Sequence, residues 1–401
     1  MKILQINTVY GHGSTGKIAQ GLHDICIKNK ITCVTAYRYH ETETTCFSDT
    51  CTTSSWLDCH VHNRLAKCTL LQGFFSRFKT FLFLRKVKNY APDIIHLHNL
   101  HGNYINLPLL FKYIKKYNIP TVWTLHDCWA FTGQCPHFTL EKCEKWKSGC
   151  YHCQHKQALI PCLDMTKVMW SFKKSAFTGI KDMSIVTPSK WLANLVKESY
   201  LKEYPLYVIH NGIDLDIFKP TQNNFRSKYN IGESKNILLG VAFGWGYRKG
   251  LDVFIELAKR LNNEQYQIVL VGTDDSVDTQ LPNNIISIHR TNNQNELAEI
   301  YTSADLFVNP TREDNYPTVN MEAIACGTPV LTFKTGGSPE IVDESCGSVV
   351  DYDDVDSMEN EIIRICTQKP YTLEACLNKA LTFNITDKFK EYVNLYEQIK
   401  G

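Results

Sequence analysis

The stretch KILQINTVYGHGSTGKIAQGLHDICIKN, residues 2–29, sets the architecture. Lys2 to Ile6 is a short apolar run and reads as a buried strand. A glycine-rich turn follows, with Ser14 or Thr15 placed to cap a helix. That helix shows apolar positions Ile18, Leu22 and Ile25-Cys26 at helical spacing. The alternation continues down the chain. ITCVTAYRY (31–39), PDIIHLHN (92–99), PTVWTLHD (120–127), MSIVTPS (183–189) and LYVIHNG (206–212) read as strands. LPLLFKYIKKY (107–117) and SKWLANLVKESYL (189–201) read as helices between them, and the polar, Thr-rich residues 41–58 read as a loop. The pattern weakens over 213–235 and restarts with NILLGVAF (236–243), GLDVFIELAKRL (250–261), YQIVLVG (266–272), ADLFVNP (304–310) and TPVLTF (328–333). Strands alternating with helices predict an α/β class with doubly wound parallel sheets, here in two halves. In such sheets ligands bind beyond the carboxyl ends of strands.

Composition narrows the function. The chain has 401 residues, and 43 Lys and Arg against 41 Asp and Glu leave a formal charge of +2, which gives no support for nucleic-acid binding by bulk charge. At 43% apolar and 21% charged residues it is ordinary globular material. No run of about 18 apolar residues predicts a membrane span, and no signal-peptide apolar region follows Met1. The expected compartment is the reducing cytosol, where 16 cysteines mean buried thiols or metal ligands.

Gly11-His12-Gly13-Ser14-Thr15-Gly16-Lys17 matches the first seven letters of a P-loop, but Ile18 stands where a Mg²⁺-binding Ser or Thr belongs. That departure argues against an NTPase. Gly13 and Gly16 remain candidates for bringing backbone N–H groups to an anion at a helix start. The competing reading is a tight strand-to-helix turn.

In the second half, residues 309–323 read NPTREDNYPTVNMEA, followed by IACGTPVLTFKTGGSPEIV. Asp314 and Glu322 stand eight positions apart, then come Ala323, Gly327, Pro329 and Val330, and then Gly336, Gly337 and Glu340. This pattern resembles glycosyltransferase family 4, of GT-B fold, with its E-x7-E, A-x-(A/S)-x-G-x-P-V and G-G-x-x-E motifs. The N-terminal glycine turn, TLHD, VTPSKWL, NGID and the RKG turn fit the resemblance in order. It implies two Rossmann-like domains facing across a cleft. The first, 1–215, would bind the acceptor and carry a Cys-rich insertion at 128–162. The second, 216–383, would bind the nucleotide sugar, and a helix at 384–401 would cross back to the first. It assigns Glu322 to the ribose hydroxyls and the first acid to the donor sugar. Here that acid is Asp314, one methylene shorter, with Glu313 beside it, so either carboxylate is a candidate. Arg248 and Lys249 correspond to the diphosphate-binding cations, with backbone donors at Gly336 and Gly337. His126 would meet a sugar hydroxyl. The implied reaction is retaining transfer from a UDP- or GDP-sugar to a saccharide or polyprenyl-linked acceptor in cell-surface polysaccharide synthesis, with no metal required for the chemistry. The rival readings are a sugar-binding protein that keeps the fold without turnover, and the P-loop NTPase.

Three further features stay open. His96, His98 and His101 invite a metal, yet no third ligand on the same strand face is specified. Cys135, Cys143, Cys150 and Cys153 follow His126 and could form a closed structural zinc site, with His137, His152 and His155 as alternative ligands. Unmetallated or redox-paired thiols are the alternative. GFFSRFKTFLFLRKVKNY, residues 73–90, is basic and aromatic. It reads either as a peripheral membrane contact or as a helix with its apolar face in the core. The DxD lookalikes Asp214-Leu215-Asp216 and Asp351-Tyr352-Asp353 read as solvated acids.

Overall fold

The computed structural model describes residues 1–39, 49–154 and 163–401. His155 and part of the 128–162 insertion lie outside the described residues. The chain divides into two compact units, Met1–His210 with Phe389–Gly401, and Asn211–Lys388.

The first unit holds seven strands: β1 (Lys2–Ile6), β2 (Thr32–Tyr37), β3 (Thr50–Thr52), β4 (Ile94–Leu97), β5 (Thr121–Thr124), β6 (Met183–Thr187) and β7 (Leu206–Val208). They form one parallel sheet in the order β3-β2-β1-β4-β5-β6-β7. Strands β4, β5 and β6 are buried along their whole length, as parallel strands covered on both faces must be. Early helices are α1 (Gly13–Lys28), α2 (Trp56–Thr69), α3 (Arg77–Tyr90) and α4 (Leu107–Tyr117). α1 starts at Gly13 with His12 at its N-cap, so Ser14 and Thr15 sit inside the first turn and do not cap it. The segment read as a 41–58 loop is corrected in its described part: it contains β3 and the start of α2.

The second unit has β8 (Asn236–Val241), β9 (Tyr266–Val271), β10 (Ile285–Ile288), β11 (Leu306–Asn309), β12 (Val330–Phe333) and β13 (Gly347–Val350). Their parallel order is β10-β9-β8-β11-β12-β13. In each sheet the strand order reverses once, between β1 and β4 and between β8 and β11. The chain leaves those neighbours toward opposite faces, opening a crevice at their carboxyl ends. The glycine turn follows β1, the histidines follow β4 and β5, the cations follow β8 and the acids follow β11. Topology thus gathers residues distant in sequence at two crevices.

The C-terminal helix Ile385–Lys400 packs its outer part on the first unit. The Tyr396 hydroxyl meets His96 Nδ1 at 2.6 Å, and Tyr392 accepts from Thr124 at 3.2 Å. Gly21 makes the contact possible, because a Cβ there would lie 2.1 Å from the Phe389 ring. Entry into and exit from the second unit are clamped together. Ile213 N–H donates to Phe383 O at 2.8 Å, and Ile385 N–H donates to Ile213 O at 3.0 Å.

Candidate active site

The first crevice starts from Asn7, at the end of β1. Its amide donates to Val9 O at 3.0 Å and Thr15 O at 3.1 Å, folding the glycine turn back on α1. Gly11 (φ 76°) and Gly13 (φ 63°) take left-handed conformations that favour glycine. Gly16 packs against the turn, since a Cβ there would sit 3.1 Å from Val9 Cγ2, whereas space around Gly13 is open. The first turn of α1 carries no acid and receives no side-chain cap. Its N–H groups therefore favour an anion.

A buried polar chain leads to His126. His126 Nε2 lies 3.2 Å from His98 Nδ1, and His98 Nε2 lies 3.0 Å from Gln5 Oε1. The Gln5 amide nitrogen donates to Ala19 O at 3.1 Å, which fixes the amide orientation and leaves Oε1 facing His98. His98 must then carry its proton on Nε2 and accept at Nδ1. His126 must donate from Nε2, so its Nδ1 is the acceptor nitrogen. Neutrality is enforced by burial. It lowers His98 well below the ordinary value and His126 to about 4, the latter opposed by the Asp127 charge. Asp127 is raised by burial, but the His101 hydrogen bond and charge, the Trp129 N–H and His137 outweigh it and hold the carboxyl below its ordinary value. His101 Nε2 sits 2.9 Å from Asp127 Oδ2. His96 bonds Thr124 and Tyr396, so it belongs to the core and to the C-terminal helix. Beside His101 a hollow of about 390 Å³ opens, lined by Asn63, Lys67, Gln72, Asn103, Trp129 and His137.

In the second crevice, the turn after β8 carries Arg248 and Lys249 in a 3₁₀ turn ending at Gly250. A Cβ at Gly250 (φ 77°) would strike Pro310 O at 2.4 Å, so this turn lies directly on the loop after β11. The contact sets Lys249 Nζ 2.5 Å from Asp314 Oδ2 and lets Arg248 donate to Glu313 O at 3.0 Å. Glu313 itself is buried, and Asp314 keeps 23% of its side-chain surface exposed. Gly336 (φ 52°) fits against the same loop: a Cβ there would lie 1.7 Å from Asp314 O. Next to Gly337, the Ser338 hydroxyl is buried without a hydrogen-bond partner. Glu322, on the helix Thr318–Ala325, accepts from the Tyr301 hydroxyl at 3.0 Å.

Sequence reasoning missed three supports of these two crevices. Tyr301 orients Glu322. Arg312, only 3% exposed, forms a two-pronged pair with Asp252 at 2.8 Å and bonds Asp353 at 2.6 Å. Its guanidinium also lies 3.9 Å from the Tyr247 ring centre. Asp353 is thus corrected from a solvated acid to half of this clamp. Gln5 and His98 are the third support. Only the pairing of distant elements reveals any of these.

Beyond His126, the Cys135, Cys143, Cys150 and Cys153 thiols line one hollow. The Cys135 thiol is raised by its hydrogen bond to Cys153 and by burial. Burial pushes Cys150 up to about 11 against the Gly133 N–H, which donates to its Sγ at 3.2 Å. Among the described residues, three ligand atoms within 4.8 Å of one another occur at Asp275, Asp278 and His289, and the four cysteines do not form such a set. His96, His98 and His101 form none either. The insertion is tied down by Lys173, wholly buried, whose Nζ donates to Trp129 O at 2.8 Å and Thr132 O at 3.2 Å.

Comparison with known proteins bears on the family and the fold. Residues 221–380 match the family model of glycosyl transferases group 1, and residues 57–217 match that of glycosyltransferase family 4. WcaC of Escherichia coli strain K12, named as a colanic acid biosynthesis glycosyl transferase, is 21% identical over the full length of both chains. Among solved structures, the sucrose-phosphate synthase of Thermosynechococcus elongatus superposes with a TM-score of 0.72 at 17% identity, covering 99% of this chain and 98% of its own. Anabaena HepE, solved with UDP-glucose, gives 0.67 at 15% identity, covering 99% and 100%. With both family models matched in order and two doubly wound units, the chain belongs to glycosyltransferase family 4 and has the GT-B fold.

Proposed function

We propose that this glycosyltransferase moves a sugar from a UDP- or GDP-sugar to a hydroxyl of a saccharide or lipid-linked saccharide, with retention at the anomeric carbon, in the making of a cell-surface polysaccharide. The observation that carries this reading is the convergence of Lys249, Asp314 and Gly336 on one loop at the second crevice. A diphosphate leaving group needs cations and N–H donors where its charge develops. Lys249, Arg248 and the backbone at Gly336 and Gly337 supply them, with the unpartnered Ser338 hydroxyl beside them. In the resting site Asp314 holds Lys249. On donor binding the phosphate takes the ammonium, and Asp314 turns to sugar hydroxyls. Glu322 accepts from the ribose hydroxyls, and Tyr301 sets its direction.

Asp314 is engaged by a cation and Glu322 by a phenol, so neither is set up as a covalent nucleophile. This favours attack from the face that the diphosphate leaves. The bond from the anomeric carbon to the diphosphate oxygen breaks. The acceptor oxygen bonds to that carbon, and its proton passes to the departing phosphate. His126, held neutral with Nδ1 as acceptor, receives a hydrogen bond from a sugar hydroxyl. The chemistry runs without a metal ion, so turnover in the presence of EDTA is expected. We also propose a structural zinc at Cys135, Cys143, Cys150 and Cys153. Their common hollow supports it, and binding would draw the sulfurs together; one zinc per purified chain is the expected metal content.

A thermal-shift panel of nucleotide sugars tests the donor reading. A bound donor raises the melting temperature by mass action. One donor class is expected to stabilise the wild type and to lose its effect with Lys249→Ala. A flat response to every nucleotide sugar counts against the proposal.

A further inference from the structure

Helices α2 and α3 carry an apolar and basic surface that the fold leaves uncovered. Seventeen large apolar side chains are exposed among the described residues, and six of them fall between Trp56 and Phe81. On α2, Leu57, Val61 and Leu65 recur every four residues and so share one face, with Leu57 65% exposed. Trp56 stands beside them. α3 sends Thr80, Phe83, Leu84 and Val87 inward and leaves Phe78 at 70% and Phe81 at 53% exposure. One face of this helix therefore lies in the core, as the second reading of the 73–90 stretch expects, and Phe78 and Phe81 stay exposed. The other exposed apolar residues are scattered along the chain, which is ordinary for a folded surface. The two helices are tied by His62, whose Nδ1 lies 2.8 Å from the hydroxyl of Ser76, the N-cap of α3.

Charge identifies the occupant. α2 carries Arg64 and Lys67, and α3 carries Arg77, Lys79, Arg85, Lys86 and Lys88. The one acid on either helix is Asp58, already bonded to Ser54. None of the seven cations makes an ion pair among the described residues. Exposed aromatic and aliphatic side chains with unpaired cations match an anionic interface with an apolar interior. We propose that α2 and α3 form a docking surface for an anionic lipid bilayer, with Phe78, Phe81, Leu57 and Val61 entering the headgroup boundary and the cations facing lipid phosphates. α2 also borders the 390 Å³ hollow through Asn63 and Lys67. Resting on the transferase reading above, this continuity places the hollow where an acceptor carried on a lipid would arrive.

Flotation of the full chain with phosphatidylcholine vesicles, with and without phosphatidylglycerol, tests the surface without any substrate. The protein is expected to float with the phosphatidylglycerol vesicles at low salt, to stay behind with phosphatidylcholine alone, and to be released by high salt. Phe78→Glu with Phe81→Glu, and separately Arg85→Glu with Lys88→Glu, should each cut the floated fraction at least fivefold while the melting temperature stays near wild type. If a pair lowers the melting temperature, the milder pair Leu57→Gln with Val61→Gln decides the matter by the same criterion. Equal flotation with both vesicle types, undiminished flotation of the folded variants, or a wild-type dimer that Phe78→Glu converts to monomer would overturn the proposal. Because no sugar is present, such a failure leaves the transferase reading standing, and failed turnover leaves this surface standing.

Discussion

In the proposed function Glu322 holds the donor ribose, and the Tyr301 hydroxyl donates to its carboxylate at 3.0 Å. A hydrogen bond to a charged group contributes about 1.5–3 kcal/mol. Tyr301→Phe should therefore weaken donor affinity by roughly tenfold or more, with little change in the fold because the ring still fills its place; calorimetric titration of the nucleotide sugar checks it. At the other crevice, the chain from Gln5 through His98 fixes His126 as the Nε2-protonated tautomer. Nitrogen-15 NMR should show His126 Nδ1 unprotonated in wild type and in Gln5→Glu, which keeps an acceptor for His98, and a mixed tautomer in Gln5→Leu. The same histidines set a pH dependence. Burial puts the folded pKa of His96 at about 3 and of His126 at about 4, both below the ordinary value of 6.5. From pH 6.5 downward the unfolded chain takes up protons that the folded chain refuses. Stability should fall as pH drops toward 4, by about 1.4 kcal/mol per pH unit for each neutral histidine. Thermal melts at pH 7 and pH 5 read this, and His96→Gln should make the slope shallower.

Elements explain what the sequence could and could not announce. The central strands β4, β5, β8, β9 and β11 are buried apolar runs between turn residues, and all were readable. β3, β10 and β13 are edge strands, only partly buried, and that hid them. α2 was missed because its pattern is inverted: Cys59, His62 and Ala66 go inward, while Leu57, Val61 and Leu65 face out. Of the candidate site, Glu322, Asp314, Lys249 and the glycine pair were named through the family resemblance, which rests on motifs local in sequence. Tyr301 and Arg312 were not, since their partners come from other elements. Loop packing gives a sharp contrast between two glycines. Gly336→Ala forces a Cβ onto Asp314 O and should displace that loop, raising the donor dissociation constant at least tenfold. Gly13→Ala meets open space and should cost only about 1 kcal/mol for its left-handed backbone.

At the scale of the whole molecule, the first unit is completed by the end of the chain. Phe389, Tyr392, Val393 and Tyr396 are buried there, and Tyr396 closes the polar neighbourhood of His96. A chain ending at Lys388 exposes that apolar surface, at roughly 1.5–3 kcal/mol for each large side chain. It should therefore melt far below wild type or fail to fold, as a thermal melt would show. Each sheet carries its own set of groups at its crevice. The first offers an anion-friendly helix start and a tautomer-fixed histidine, and the second offers cations, acids and a glycine pair. In the proposed function, sugar transfer from a nucleotide donor depends on Glu322. The most direct measurement is release of nucleoside diphosphate by the full-length protein across a panel of nucleotide sugars, in wild type and Glu322→Ala. Release from one donor class is expected, with at least a hundredfold loss in the variant. Equal release by both proteins would overturn the role of Glu322.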